Sequence, residues 1–126
     1  LHMWGYRSKI RELAWDPKSR YLASGGSSTG VVWDCSGKGP AGTKPQLLDF
    51  HSQLLSQLAY QGQGSFLASG CLEGLLAIWH PGKSEEAIQT AHLGSGVSQL
   101  VWSPDSKLLA AGTHEGRVAL FPAPKR

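Results

Sequence analysis

Apolar residues along this chain fall in short runs, and each run is closed by a cluster of turn-forming residues. Leu13-Ala14-Trp15 runs into Asp16-Pro17-Lys18-Ser19, Leu58-Ala59-Tyr60 into Gln61-Gly62-Gln63-Gly64, and Leu100-Val101-Trp102 into Ser103-Pro104-Asp105-Ser106. A second series is Leu22-Ala23-Ser24-Gly25, Leu67-Ala68-Ser69-Gly70 and Leu109-Ala110-Ala111-Gly112; the turns after it carry Thr29-Gly30, Glu73-Gly74 and Glu115-Gly116. The third series is Val31-Val32-Trp33, Ala77-Ile78-Trp79 and Ala119-Leu120-Phe121. Short apolar runs punctuated in this way are the signature of small antiparallel strands joined by hairpins.

The first two series recur at spacings of 45 and 42 residues and the third at 46 and 42, in the same order each time. Self-similarity at such a period marks a repeat architecture. Three strands do not fill a period above forty, so a fourth is expected over residues 46–50 and again over 85–91, which leaves no room for helices. The chain therefore divides into repeats at 5–50, 51–91 and 92–126 of one unit spanning 1–126. Composition agrees with an all-β fold: 16 Gly and 7 Pro are scattered among 126 residues, of which 40% are hydrophobic and 17% charged.

A four-stranded repeat of this length whose third strand closes on an aromatic resembles the tryptophan-aspartate (WD) repeat β-propeller family, across essentially the whole chain. The Trp-Asp pair itself stands at Trp33-Asp34; its counterparts are Trp79-His80 and Phe121-Pro122. The resemblance implies four-stranded blades packed radially about a channel. It also implies a structural lock of His, Ser or Thr, acid and Trp within a blade, since a buried indole N–H needs an acceptor. Repeat two offers His51, Ser69, Glu73 and Trp79 for that lock. Repeat one offers Ser24 and Trp33, with Thr29 at the acid's position and Tyr6 near the histidine's; repeat three keeps His92 and Glu115 but has Ala111 and Phe121 elsewhere. Trp15, Tyr60 and Trp102 share one repeat position and are expected in the core.

Two stretches mimic catalytic motifs. Gly26-Ser27-Ser28-Thr29-Gly30 has the G-x-S-x-G form of a nucleophile elbow, which would make Ser27 the nucleophile of a hydrolase. An elbow requires a strand leading into a helix, whereas the repeat register puts these residues in the turn between a second and third strand. Residues 37–44, GKGPAGTK, approach a phosphate-binding loop, but Thr43-Lys44 inverts the required order and Pro40 removes a backbone donor. Residues 36–45 read instead as an enlarged hairpin loop exposing Lys38 and Lys44. Five histidines show no metal-ligand spacing, and no catalytic residue, metal or cofactor is expected.

A formal charge of +3 is mild, and nucleic acid is not the expected partner. Arg7, Lys9 and Arg11 alternate ahead of the first strand and, with Lys38 and Lys44, are the candidate protein-binding residues. Cys35 and Cys71 form no disulfide framework, which suits a reducing, cytoplasmic setting. No apolar run approaches the length of a membrane span and no secretory signal is visible; His2-Met3 reads as a cloning scar. Three blades leave two faces and a strand edge open. The expectation is a protein-interaction scaffold, an excised or engineered unit that closes a ring with itself as a homodimer of six blades or a homotrimer of nine. The alternative is a fragment of a longer propeller whose binding function needs the missing blades.

Overall fold

The computed structural model describes residues 2–3, 9–41 and 43–125. Its strands are β1 (Leu13–Trp15), β2 (Tyr21–Ser24), β3 (Gly30–Asp34), β4 (Gln46–Leu48), β5 (Leu55–Tyr60), β6 (Leu67–Cys71), β7 (Leu75–Trp79), β8 (Gln89–His92), β9 (Val97–Trp102), β10 (Leu108–Thr113) and β11 (Val118–Pro122). Consecutive strands pair into three sheets, β1-β2-β3-β4, β5-β6-β7-β8 and β9-β10-β11. Each is a simple antiparallel meander. Among the described residues the third sheet has three strands, and the chain runs on as irregular backbone after Pro122.

Turn chemistry sets the hairpins. Asp16 Oδ1 accepts the Arg20 and Tyr21 N–H groups at 2.6 and 2.8 Å, while Ser19 takes φ +58°. In the third sheet Asp105 Oδ1 accepts from Ser103 Oγ at 2.6 Å and Lys107 N at 3.0 Å, and Ser106 takes φ +60°. Such side chains offer the backbone an alternative to ladder pairing and so stop the strand. The middle sheet uses Gln61 instead. Its Oε1 accepts Phe66 N–H at 3.0 Å and its Nε2 donates to Ser106 O at 2.9 Å, so one side chain closes a turn and fastens the second sheet to the third.

The first strands converge, β1 beside β5 and β5 beside β9, while later strands fan outwards. Two apolar layers fill the gaps. Ala23, Val32 and Leu48 of the first sheet meet Leu58, Leu67 and Trp79 of the second; Phe66, Leu76 and Ile78 on its other face meet Val97, Leu100 and Leu109 of the third. The middle sheet is covered on both faces, which is why β6 is buried throughout rather than alternating.

Three expectations need correction. The outer strand of the first sheet ends at Leu48, two residues before the expected 50, where Phe50 turns its ring edge-on to His51 at 5.2 Å. The outer strand of the second is Gln89–His92, not 85–91, because residues 84–86 are held in a turn by Ser84 Oγ donating to Glu86 O at 3.1 Å. Trp15 is exposed whereas Trp102 at the same repeat position is buried. The cause is position in the array: Trp102 has the second sheet to pack on, and nothing among the described residues covers the outer face of the first.

Candidate interaction surface and the polar lock

Ser69 lies in β6 opposite Leu58 of β5 and Ala77 of β7. Its Oγ receives the Trp79 indole N–H at 2.8 Å and stands 2.7 Å from His51 Nε2, and all three residues are buried. The indole can only donate, so the hydroxyl accepts from it and pairs in turn with His51 Nε2. Burial disfavours the imidazolium, pushing the His51 pKa down to about 4 and keeping the ring neutral near pH 7. His51 Nδ1 has no hydrogen-bond partner among the described residues, and the Glu73 carboxylate accepts the Ser52 hydroxyl.

A pH dependence follows from this neutral imidazole. Unfolded, His51 titrates near 6.5; folded, near 4. Between those values the unfolded chain holds the extra proton, so this contribution is fully present above about pH 6.5 and is lost as pH falls, at roughly 1.4 kcal/mol per unit. Urea midpoints measured from pH 7 to pH 4 should fall accordingly, and His51→Gln should flatten that decline. An equally steep decline in the variant would assign it to other groups.

The other lock positions are less alike. Ser24 is buried in β2 and Trp33 is half-buried in β3. His92 is exposed at the end of β8. With Ala111 and Phe121 where the hydroxyl and indole would stand, no polar pair draws that ring inwards.

Ser27 sits in the turn between β2 and β3, and a strand follows it, not a helix. Its Oγ donates to Thr29 O at 3.0 Å and accepts Thr29 N–H at 3.1 Å, a local loop closure. Residues 36–41 and 43–45 are likewise held by local hydrogen bonds. Ser36 N and Oγ donate to Asp34 Oδ1 at 2.9 and 2.5 Å, Gly39 N to Ser36 O at 3.0 Å, and Thr43 N to Pro40 O at 3.0 Å. These N–H groups are spent on carbonyls of the loop itself and on the Asp34 carboxylate. Lys38 and Lys44 are exposed. Lys44 borders an outer cavity of about 970 Å³ between β4 and the segment preceding β8, which Lys83, Glu85 and Glu86 also line and which Gln46 spans, donating to Ser84 O at 2.8 Å. Cys35 is half-buried and Cys71 buried, both as free thiols.

Lys9 and Arg11 are brought to a second cavity, of about 520 Å³, at the end of the array where the β2–β3, β6–β7 and β10–β11 turns meet the starts of β1 and β5. Leu54, Leu72 and His114 line it too, and all five side chains are exposed. Glu12 lies beneath, buried against Gly25. Burial raises its pKa against the opposing pull of the Gly26 N–H and Arg11. Two cations thus stand over a carboxyl that is reluctant to ionise, beside two exposed leucines. Sequence reasoning singled out Lys9 and Arg11 but missed the leucines, whose signal was an apolar residue at turn positions that other repeats fill with polar residues or glycine. Arg7 lies outside the described residues.

Residues 1–34 and 84–121 match a family model described as WD domain, G-beta repeat. The chain is 31% identical over 107 residues to WD repeat-containing protein slp1 of Schizosaccharomyces pombe, covering 82% of this chain and 21% of that protein. It is 30% identical over 76 residues to the probable cytosolic iron-sulfur protein assembly protein Ciao1 of Culex quinquefasciatus, covering 60% of this chain and 22% of that one. The chain thus spans about a fifth of the length of these curated relatives. A chain of the solved mitotic checkpoint complex superposes on 95% of this one with a TM-score of 0.79 at 24% identity, and this chain covers 36% of it. That likeness shows the fold, a β-propeller segment. Among the described residues no helix is long and apolar enough to cross a membrane.

Proposed function

The chain belongs to the WD-repeat family, and from that premise we propose that it is a non-catalytic scaffold which docks an acidic, leucine-bearing segment of a partner protein in the cleft of Lys9, Arg11, Leu54 and Leu72. The observation that carries this reading is the cleft's make-up, with two exposed cations beside two exposed leucines and the one carboxyl beneath them sequestered by burial. An acidic side chain would meet the cations while an apolar neighbour covered the leucines, a polar rim around an apolar anchor. Arg7, Lys38 and Lys44 extend the candidate binding set. The locks at His51, Ser69 and Trp79, at Ser24 and Trp33, and around Glu73 and His92 are assigned a structural role.

Selection of random displayed peptides on the immobilised chain should enrich segments carrying Asp or Glu next to Leu, Ile or Phe. Lys9→Glu with Arg11→Glu should weaken those peptides at least tenfold at low salt, since two charge-assisted contacts are reversed. Enriched peptides that bind the doubly reversed chain as well as the original would end this reading. The hydrolase alternative would rest on Ser27, whose hydroxyl is engaged with Thr29; any ester hydrolysis that survives Ser27→Ala removes it.

The reading includes ring closure by self-association, two copies giving six blades ahead of three giving nine, because propellers typically close with roughly four to eight blades. Further blades of a longer protein are the alternative occupant, and the greater length of the relatives makes it a real one. Light scattering across a dilution series separates them, a stable dimer or trimer supporting the ring and a monomer the longer propeller. Free Cys35 and Cys71 support a cytoplasmic, reducing location.

A further inference from the structure

The cleft of Lys9, Arg11, Leu54 and Leu72 has different chemistry at equivalent points of the three sheets. Leu72 N donates to Leu54 O at 3.0 Å and His114 N to Gly96 O at 2.9 Å, so these two pairs hold the same place in the second and third sheets. By the repeat spacing, Lys9 is the counterpart of Leu54 and Gly96 in the first. At this level the first sheet contributes a cation, joined by Arg11, the second two leucines, and the third a glycine and an imidazole.

The glycine determines where the imidazole lies. Leu54 has a side chain at its position, whereas Gly96 leaves a gap that the His114 ring fills. His114 Cδ2 lies 2.6 Å and Nε2 3.4 Å from the point a Gly96 Cβ would occupy, and Leu72 O lies 2.7 Å from the same point. A side chain at residue 96 would drive the ring off and press on backbone that cannot swing aside. The exposed imidazole is thereby laid directly beside Leu72. At the other seam Leu55 N donates to Ser27 O at 3.0 Å, which sets the first sheet's turn against the leucines. With β1 beside β5 and β5 beside β9, the order across the cleft is cations, leucines, imidazole.

Charge along that order is one-sided. Among the described lining residues the one carboxyl is that of Glu12, 8% exposed and beneath the cations. Glu73, next after Leu72, is not part of the lining, and its carboxylate accepts the Ser52 hydroxyl. Both ends of the cleft therefore offer N–H donors, because an imidazole carries at least one in either protonation state. We propose that His114 is a second acid-recognising residue: the cleft takes a segment with an acidic residue on each side of its apolar one, Lys9 and Arg11 binding one acid and His114 the other, with Gly96 positioning the ring. This rests on the docking reading and adds to it the order of the segment and a second charge.

Random displayed peptides selected on the unmodified chain should carry Asp or Glu on both sides of a Leu, Ile or Phe. In fluorescence anisotropy a labelled peptide of that kind should lose about tenfold in affinity when either acid is made Ala, the effect of one charge-assisted hydrogen bond. His114→Glu should abolish the loss at one acid only and favour Lys there, while Lys9→Glu with Arg11→Glu should do so at the other acid. If far-UV circular dichroism shows that His114→Glu disturbs the fold, His114→Ala gives the same readout without the repulsion, the loss at that one acid vanishing. Enrichment of acid on one side alone, or two undiminished tenfold losses in the folded His114 variant, would overturn the assignment to His114 and leave the docking reading standing. Selected peptides with no acid beside the apolar residue would overturn both.

Discussion

Trp79→Ala is expected to lower the stability of the chain by roughly 3 to 5 kcal/mol, enough to unfold a marginal domain at ordinary temperature. Trp79 closes β7 and is only 1% exposed, packed among Leu58 and Leu67 of its own sheet and Val32 and Leu48 of the first. Its removal opens a cavity at the seam between two sheets. It also strands the Ser69 hydroxyl, which now has His51 alone. Ser69→Ala separates the two effects: it leaves the packing but orphans the buried indole N–H and His51 Nε2, at a cost of roughly 1 to 3 kcal/mol. Trp79→Phe should fall between, keeping a ring and losing the donor. Urea denaturation of the three variants gives the comparison. A loss below about 1 kcal/mol for Trp79→Ala would mean that the two sheets do not share this side chain.

What the sequence made legible was whatever repeats. Three series of apolar runs at a common period located the strands of each hairpin, and the register alone showed that Ser27 belongs to a turn, where its hydroxyl bonds Thr29. The His51, Ser69 and Trp79 contacts were also readable, because a buried indole restricts its partner to an acceptor. Features that depend on what lies beside a residue were not. Trp15 and Trp102 are equivalent by register, yet one is exposed and the other buried, because the face bearing Trp102 has the second sheet against it and the face bearing Trp15 has no neighbour among the described residues. Glu73 and Ser52 meet across a turn whose path the spacing does not specify. The cleft eluded the sequence for a related reason: it is assembled from turns of all three sheets, so Leu54 and Leu72 are distant in the chain and close only once the sheets converge.

Gly74 gives the sharpest check on that convergence, because a near-twin serves as its control. Gly74 and Gly116 follow the second strands of neighbouring sheets with φ of +97° and +85°, so alanine at either meets the same left-handed strain of roughly 1 kcal/mol. Their surroundings differ. A Cβ at Gly116 meets nothing within 4 Å, whereas one at Gly74 would collide with Ser95 O and lie 3.0 Å from Ser95 N and C. Backbone cannot swing aside as a side chain can, and this one precedes β9, with Leu93 N donating to Gly74 O at 2.8 Å just before it. Gly74→Ala is therefore expected to cost roughly 2 to 4 kcal/mol and Gly116→Ala roughly 1 kcal/mol, the excess measuring how tightly the second and third sheets are pressed together. Equal losses in paired denaturation curves would mean that the Ser95 backbone yields freely. In that case the approach of the β6–β7 turn to the start of the third sheet, and the cleft floor it helps to build, would be soft.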